Sequence, residues 1–574
     1  LSTSRSGNNP AEDVPEATAS RQAAEDRHAQ SERSQPQQDT EPKQGDEQSQ
    51  EQKRVPWLGI AAVMLGLSTS VLLGQFISIG LADIEGAQHL SKDQGAWLAA
   101  VYNAGQMFIG PMTVYIGGLL GPRKVLLVAA PTVAISALLL GLTTSYPIML
   151  TLLAIAGLGC GSFYPLTLTF VARSLPRPLF LFGIAAYGFD VVSSLHVAAL
   201  LEGWYMQYLS WHWIYWQPAL MALGMWALVQ AGIPSDPTSS VDTAKLRPSW
   251  QSFVYASLGL VCLFLLLSQG VRLNWGTSGG VAALAAAGAF LLLASLISHL
   301  LQPNPLVDLR FIFRRNILLL SICLCVLRFS LLSSAQLVPT FLSTAQHFIP
   351  LQTGSVLAWV ALPSLLCGVL AAVFMKYVDP RLLLAFGFLL TGSACLWDNE
   401  LTSLWSRQNF FPTELLIGVG AAISVVSLVG CIVLEIVNSG AVKQPIDTLT
   451  FVAWFHTVRL FGGEIVSTLM GYLLFARFRF HFSRLADLVN TSRAATATQL
   501  LGMTRTIAMQ SPSAGSSLAL TGALLANRAE RQTVTLTIED AYILEALVIA
   551  IALVLVALIG REPLQFKDLL KDEQ

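Results

Sequence analysis

Residues 57–82, WLGIAAVMLGLSTSVLLGQFISIGLA, run for 26 positions without one Lys, Arg, Asp or Glu. About 20 apolar residues in a helix cross the roughly 30 Å hydrocarbon core of a bilayer, so this stretch reads as a transmembrane helix. Thirteen comparable runs follow it, near 94–117, 124–143, 147–172, 178–203, 211–233, 250–270, 279–300, 316–342, 354–376, 381–397, 412–437, 448–476 and 541–560. Together they predict an all-α polytopic membrane protein of about fourteen spans.

Composition agrees with that reading. At 574 residues the chain could hold about four soluble domains of roughly 100–150 residues each. Yet hydrophobic residues make up 53%, charged residues 12%, and mean hydropathy is +0.58. A water-soluble chain carries about twice that charge. A net charge of −1 and a pI near 6.8 provide no basic surface for nucleic acid, so no such partner is expected. All seven cysteines lie singly or as C-x-C inside apolar runs and read as small core-filling side chains rather than a disulfide or metal site.

Residues 1–55 are different material, as in SERSQPQQDTEPKQGDEQSQEQK (31–53). Too poor in large apolar side chains to offset ordering entropy, this segment is expected to be a disordered cytoplasmic tail, and it lacks a signal peptide's apolar core. The chain begins with Leu1, so its true start is expected upstream or at a non-standard codon. An even number of spans puts both ends on one side. With the amino terminus inside, the inner loops hold twelve Lys and Arg, from Arg123 to Lys443, and the short outer loops only Lys92, Arg272 and Arg407. That asymmetry predicts both termini in the cytoplasm. Residues 477–540 read as one long outer loop of amphipathic helical pieces.

Ionisable groups at bilayer depth are costly unless paired or hydrated, which makes each a functional candidate. Asp190, Arg328, Arg459 and Glu464 sit near the middle of their spans, while His196, His456, Glu435 and Glu202 lie nearer span ends. Arg459 and Glu464 are about 140° apart around one helix and cannot easily neutralise each other. The expectation is that Asp190 binds a proton, modulated by Arg328 or Arg459, with Glu464 as a second coupling candidate. The plainer reading is a permanent ion pair that only fixes packing. A substrate cavity needs apolar walls with a few polar fixers, and Gln75, Asn103, Gln106, Tyr164 and Tyr187 are the candidates. Mid-helix Pro and Gly residues, such as the run GLGCGSFYP (157–165), suit helices that pack closely and bend. No metal-ligand spacing, nucleotide loop or nucleophile–base pair appears, so no cofactor, metal or catalytic activity is expected. His347, His481 and Asp398–Glu400 read as solvated loop residues, which weighs against a membrane-embedded transferase.

Five strings carry a resemblance. SWHWIYWQP (210–218), LSQGVRLNWGTS (267–278), NPLVDLRFIFRRN (304–316), RLFGGEI (459–465) and LLANRAERQTVTLTIEDAYILEA (524–546) resemble, in order, signatures of the major facilitator superfamily. Within it the chain is most similar to the fourteen-span drug:proton antiporters, which include inner-membrane pumps of tripartite efflux systems. The resemblance implies two six-helix bundles (56–235 and 304–561), two inserted spans (236–303) and a cytoplasmic tail (562–574). It also implies proton-driven export of small amphiphilic or aromatic compounds across a bacterial inner membrane, and a periplasmic adaptor and outer-membrane channel as partners.

Departures from the family pattern are specific. The loop GGLLGPRKV (117–125) keeps the basic gating pair Arg123–Lys124 but has Gly118 where the family has Asp. Leu153 and Ala156 replace the span-four Arg-x-x-Gln, AALLEG (198–203) replaces the antiporter motif, and Leu73 stands where span one usually carries Asp. Asp190 and Glu464 are then the expected replacements, the sequence offering no other carboxylates so deep. Erosion of these motifs keeps a proton-independent uniporter or metabolite carrier as the alternative.

Overall fold

The computed structural model describes residues 57–233, 250–301, 309–440, 445–489, 492–510, 514–561, 563 and 565–569. The tails expected at 1–55 and beyond 569, and the loop residues Lys245, Arg247 and Lys443, lie outside them. Among the described residues, fourteen helices have nineteen or more residues. In chain order they are α1 (Trp57–Ile79), α2 (Lys92–Leu120), α3 (Pro122–Leu140), α4 (Tyr146–Ser174), α5 (Arg177–Tyr208), α6 (Trp213–Gly232) and α7 (Trp250–Gly270). There follow α8 (Gly279–Leu300), α9 (Arg315–Thr344), α10 (Pro350–Phe374), α11 (Pro380–Asp398), α12 (Arg407–Asn438), α13 (Pro445–Leu488) and α14 (Ala514–Leu558). Twelve are long and apolar enough to cross a membrane on composition alone. The other two, α2 and α6, carry more polar and aromatic side chains and pack among their neighbours, α2 against α4, α7 and α13, and α6 against α1 and α3.

Helix ends follow local chemistry. At the start of α2, Ser91 Oγ accepts from the Gln94 amide at 3.2 Å and the Ser91 amide donates to Gln94 Oε1 at 3.0 Å. This reciprocal cap satisfies two otherwise orphaned amides. Ser91→Ala should therefore cost about 1 kcal/mol and lower the thermal unfolding midpoint; an unchanged midpoint would show the cap contributes nothing. Between α2 and α3 the chain turns on Gly121, at φ +86°, followed by Pro122 at the first helical position. Proline's fixed φ suits that position. Arg123 and Lys124, expected in the loop between spans two and three, consequently stand in the first turn of α3, and Arg123 Nη2 donates to the Gln230 carbonyl at 3.2 Å.

Two large apolar cores form, one from α1–α6 and one from α9–α14 with a few α5 residues. Helices α7 and α8 pair through reciprocal hydrogen bonds, Ser252 Oγ to the Ser295 carbonyl at 3.1 Å and Ser295 Oγ to the Ser252 carbonyl at 2.7 Å. Such bonds hold apolar helices together where lipid offers no hydrophobic drive. α8 packs on α7 and turns Phe290, Leu293 and Leu300 outward, as a lipid-facing helix does.

Between the two cores, the backbones of α5 and α10 come into close contact. A Cβ on Gly203 would lie 2.4 Å from the Leu351 amide nitrogen, and one on Gly354 would lie 2.4 Å from that of Leu200. Only glycine fits at either position.

The region expected as a long loop is largely a continuation of the two helices that flank it. α13 spans 44 residues and α14 spans 45, about 66 Å each at 1.5 Å per residue and roughly twice the hydrocarbon thickness. Their excess lengths form a helical hairpin, with a short helix Ala494–Gln510 packed on α14. Asp540 clamps it, accepting from Arg477 Nε at 2.5 Å and lying 2.6 Å from His481 Nε2. Arg531 Nη2 ties its base to Gln346 Oε1 at 2.9 Å and to the Ser403 carbonyl at 3.2 Å.

Candidate functional site

Four helices bring five polar side chains to the middle of the bundle: Tyr164 of α4, Tyr187 of α5, Arg328 of α9, and His456 and Arg459 of α13. The Arg459 guanidinium lies 3.5 Å from the centre of the Tyr164 ring. Tyr164 in turn meets Tyr187 edge-on at 5.6 Å and His456 at 5.9 Å between ring centres. A cation over an aromatic face is attracted by the ring quadrupole, more strongly away from water. Gly110 of α2 makes room for the imidazole, since a Cβ there would lie 2.0 Å from His456 Nε2.

Two cavities abut on this cluster. One, of about 380 Å³, extends between α4, α5, α12 and α13 toward the face at which α1 starts, with walls that include Phe180, Ile184, Leu428, Ile432 and Phe451. The other, of about 530 Å³, extends between α1, α2, α7 and α13 toward the opposite face, and Gln75, Asn103, Gln106 and Glu464 line it. Tyr164, Val191, Arg328 and Arg459 line both. They form the septum between two vestibules. Pockets that bind small molecules are mostly apolar with a few convergent polar groups; the first cavity fits that description, whereas the second is lined by polar and apolar atoms in similar measure.

The structure therefore puts Gln75, Asn103 and Gln106 on one cavity, Tyr187 on the other and Tyr164 on both, with Glu464 beside the first group. Ser70 Oγ reaches Gln106 Oε1 at 3.4 Å, and Ser268 lies beside Glu464. Asp190 sits one residue from the septum but faces α1, where Ser68 and Ser194 both donate to Oδ1, the latter at 3.1 Å. Its Oδ2 has no partner. Neither Asp190 nor Glu464 is joined to an arginine. Among the described residues no carboxylate lies within 4.0 Å of Arg328 or Arg459, and Arg328 Nε and Arg459 Nε and Nη2 have no hydrogen-bond partner.

In the sequence, several buried groups read as loop residues, stand only near span ends, or are not singled out. Asp190 and Glu464 are not the only deep carboxylates: Asp398, Glu414 and Glu202 are fully buried and Glu545 is 1% exposed. Asp398 is no solvated loop residue but the last residue of α11, beside Thr413. Together with Glu414 of α12 and Glu545 of α14 it makes a carboxyl cluster in the second core, where Ser330 and Cys395 hydrogen-bond Glu545. Glu202 lies beside Asp83, in the short helix Leu81–Gln88 after α1. His196 is buried too, its Nε2 3.1 Å from Ser334 Oγ. His481, also read as solvated, engages Asp540. Polar residues at the edges of apolar runs looked like loop chemistry; their burial is a property of the helices that close over them. All seven cysteines are free thiols, and no group of three or more His, Cys, Asp or Glu among the described residues is arranged to hold a metal.

Comparison with known proteins places this architecture. The family model described as Major Facilitator Superfamily matches residues 58–443. The multidrug export protein EmrB of Haemophilus influenzae is 22% identical over 451 residues, covering 76% of this chain and 86% of its own. The probable multidrug resistance protein EmrY of Escherichia coli is 22% identical over 359 residues, covering 62% and 68%. The colistin resistance protein EmrB of Acinetobacter baumannii is 22% identical over 377 residues, covering 65% and 72%. With more than half its length matched, this chain belongs to the Major Facilitator Superfamily, and fourteen long helices, twelve of them apolar enough to span a membrane, build its bundle among the described residues.

Proposed function

We propose that this protein is a secondary active transporter that exports small amphiphilic or aromatic compounds across a bacterial inner membrane in exchange for protons. The observation that carries the reading is the pair of cavities that meet at one septum built from α4, α5, α9 and α13. A site that touches both faces through one set of side chains is what alternating access requires. The multidrug names of the relatives support export as the direction. In this reading residues 56–235 and 304–561 form two bundles that rock about the septum, 236–303 are inserted spans, and both termini are cytoplasmic. The α13–α14 hairpin then stands in the periplasm as the docking surface for an adaptor and an outer-membrane channel.

The eroded motifs at Leu73 and Gly118 favour the alternative, a proton-independent carrier of the same fold. One measurement separates the two. Purified protein in vesicles with an imposed pH gradient should concentrate substrate, and a proton ionophore should return uptake to the level of protein-free vesicles. Uptake that ignores the ionophore would replace antiport with uniport.

A further inference from the structure

We infer that the septum is an oxyanion site, so that the transported compounds are anionic amphiphiles whose acid group sits between Arg328 and Arg459. This deepens the export reading and rests on it. Both arginines lie inside the bundle, Arg459 only 8% exposed, and neither has a carboxylate partner. Each lies in the other's field, since the two guanidiniums repel. A buried, unpaired charge is costly, and two of like sign cost more. Such an arrangement is stable where an external anion completes it. Guanidinium is the side chain best matched to a carboxylate, through paired parallel hydrogen bonds, and the unsatisfied Nε and Nη2 of Arg459 are the two donors that a bidentate contact uses.

The surroundings select the rest of the molecule. On the side where α1 starts, the cavity contains His456 and the two arginines but no acidic side chain. Its walls of Phe180, Ile184, Leu428, Ile432 and Phe451 suit an alkyl or aryl body. On the other side Glu464 is the one acid lining the cavity, while Arg272 adds a further cation that Asp93 engages. A cationic substrate would meet two guanidiniums with a single acid to offset them. Because both arginines line both cavities, an anion can pass from one vestibule to the other without leaving them. The ligand class is therefore a carboxylate with an apolar body.

The test uses tail-matched probes. Full-length protein in nanodiscs is titrated with decanoate and with decyltrimethylammonium, empty nanodiscs being subtracted, in the wild type and in Arg328→Gln, Arg459→Gln and Arg459→Lys. The wild type should bind decanoate at least about tenfold more tightly than the cation, the scale of a charge-assisted hydrogen bond. Each Gln variant should lose that preference, and Arg459→Lys should restore part of it. Equal wild-type binding of both probes overturns the inference without needing any variant to fold, and a preference that survives both Gln substitutions overturns it as well. Vesicle transport separates the two readings. Export of decyltrimethylammonium but not decanoate sinks the anion site and keeps the exporter. Arginine-dependent binding of decanoate without movement keeps the site and sinks export.

Discussion

Asp190→Asn should reduce proton-driven uphill transport to the level of protein-free vesicles while the protein still folds and exchanges substrate down its gradient. Asp190 lies near the middle of α5, buried, with two serine hydroxyls on Oδ1 and nothing on Oδ2. A carboxyl locked in an ion pair would be a packing device, but no arginine engages this one. Asparagine has the same shape and still accepts the bonds from Ser68 and Ser194, so the fold loses little, whereas it cannot take up or release a proton. Glu464→Gln, tested beside it, reports on the second candidate, which faces the cavity directly. Undiminished uphill transport in Asp190→Asn would remove this residue from the coupling mechanism.

Gly354→Val is expected to open the face opposite the start of α1. The new side chain would meet the Leu200 backbone, 2.4 Å from where its Cβ must go, and backbone cannot step aside as a flexible side chain can. Overpacking of this kind costs about 1–3 kcal/mol. At 1.4 kcal/mol per tenfold, the closed arrangement of α5 and α10 should lose about five- to 140-fold in population. A single cysteine at position 75, on the cavity toward that face, should then react faster with a water-soluble thiol reagent in a background free of the seven native cysteines. Equal reaction rates with and without the Gly354→Val substitution would mean that the contact is not the closure.

Much of the architecture is legible in the apolar runs, because a span announces itself through twenty consecutive side chains whatever its neighbours are. The last helix shows where that signal stops. Its apolar part begins near residue 541, but α14 starts at Ala514 because the polar residues 514–540 gain partners from α13 and from helix Ala494–Gln510. The same limit applies to charge. Arg328 and Arg459 stand out because each interrupts an apolar run, whereas Asp398 is followed by Asn399 and Glu400 and looks like the start of a loop. Only the packing of α11 against α12 and α14 puts it indoors. His456 is a third case. The sequence marks it only as an ionisable residue toward a span end, and its place beside Tyr164 depends on a glycine, Gly110, on a different helix.

The unbroken length of α13 gives the molecule a mechanical property. Arg459 in the septum and Leu488 at the hairpin tip belong to one helix, 29 residues apart, about 44 Å at 1.5 Å per residue. Each degree by which this rod leans at the septum swings its tip through roughly 0.8 Å by the same geometry. Asp540, clamped to Arg477 and His481, makes the second rod lean with it. On the proposed rocking mechanism the hairpin would be a lever whose fulcrum lies at the septum. A partner resting on its tip would then sense which way the protein faces.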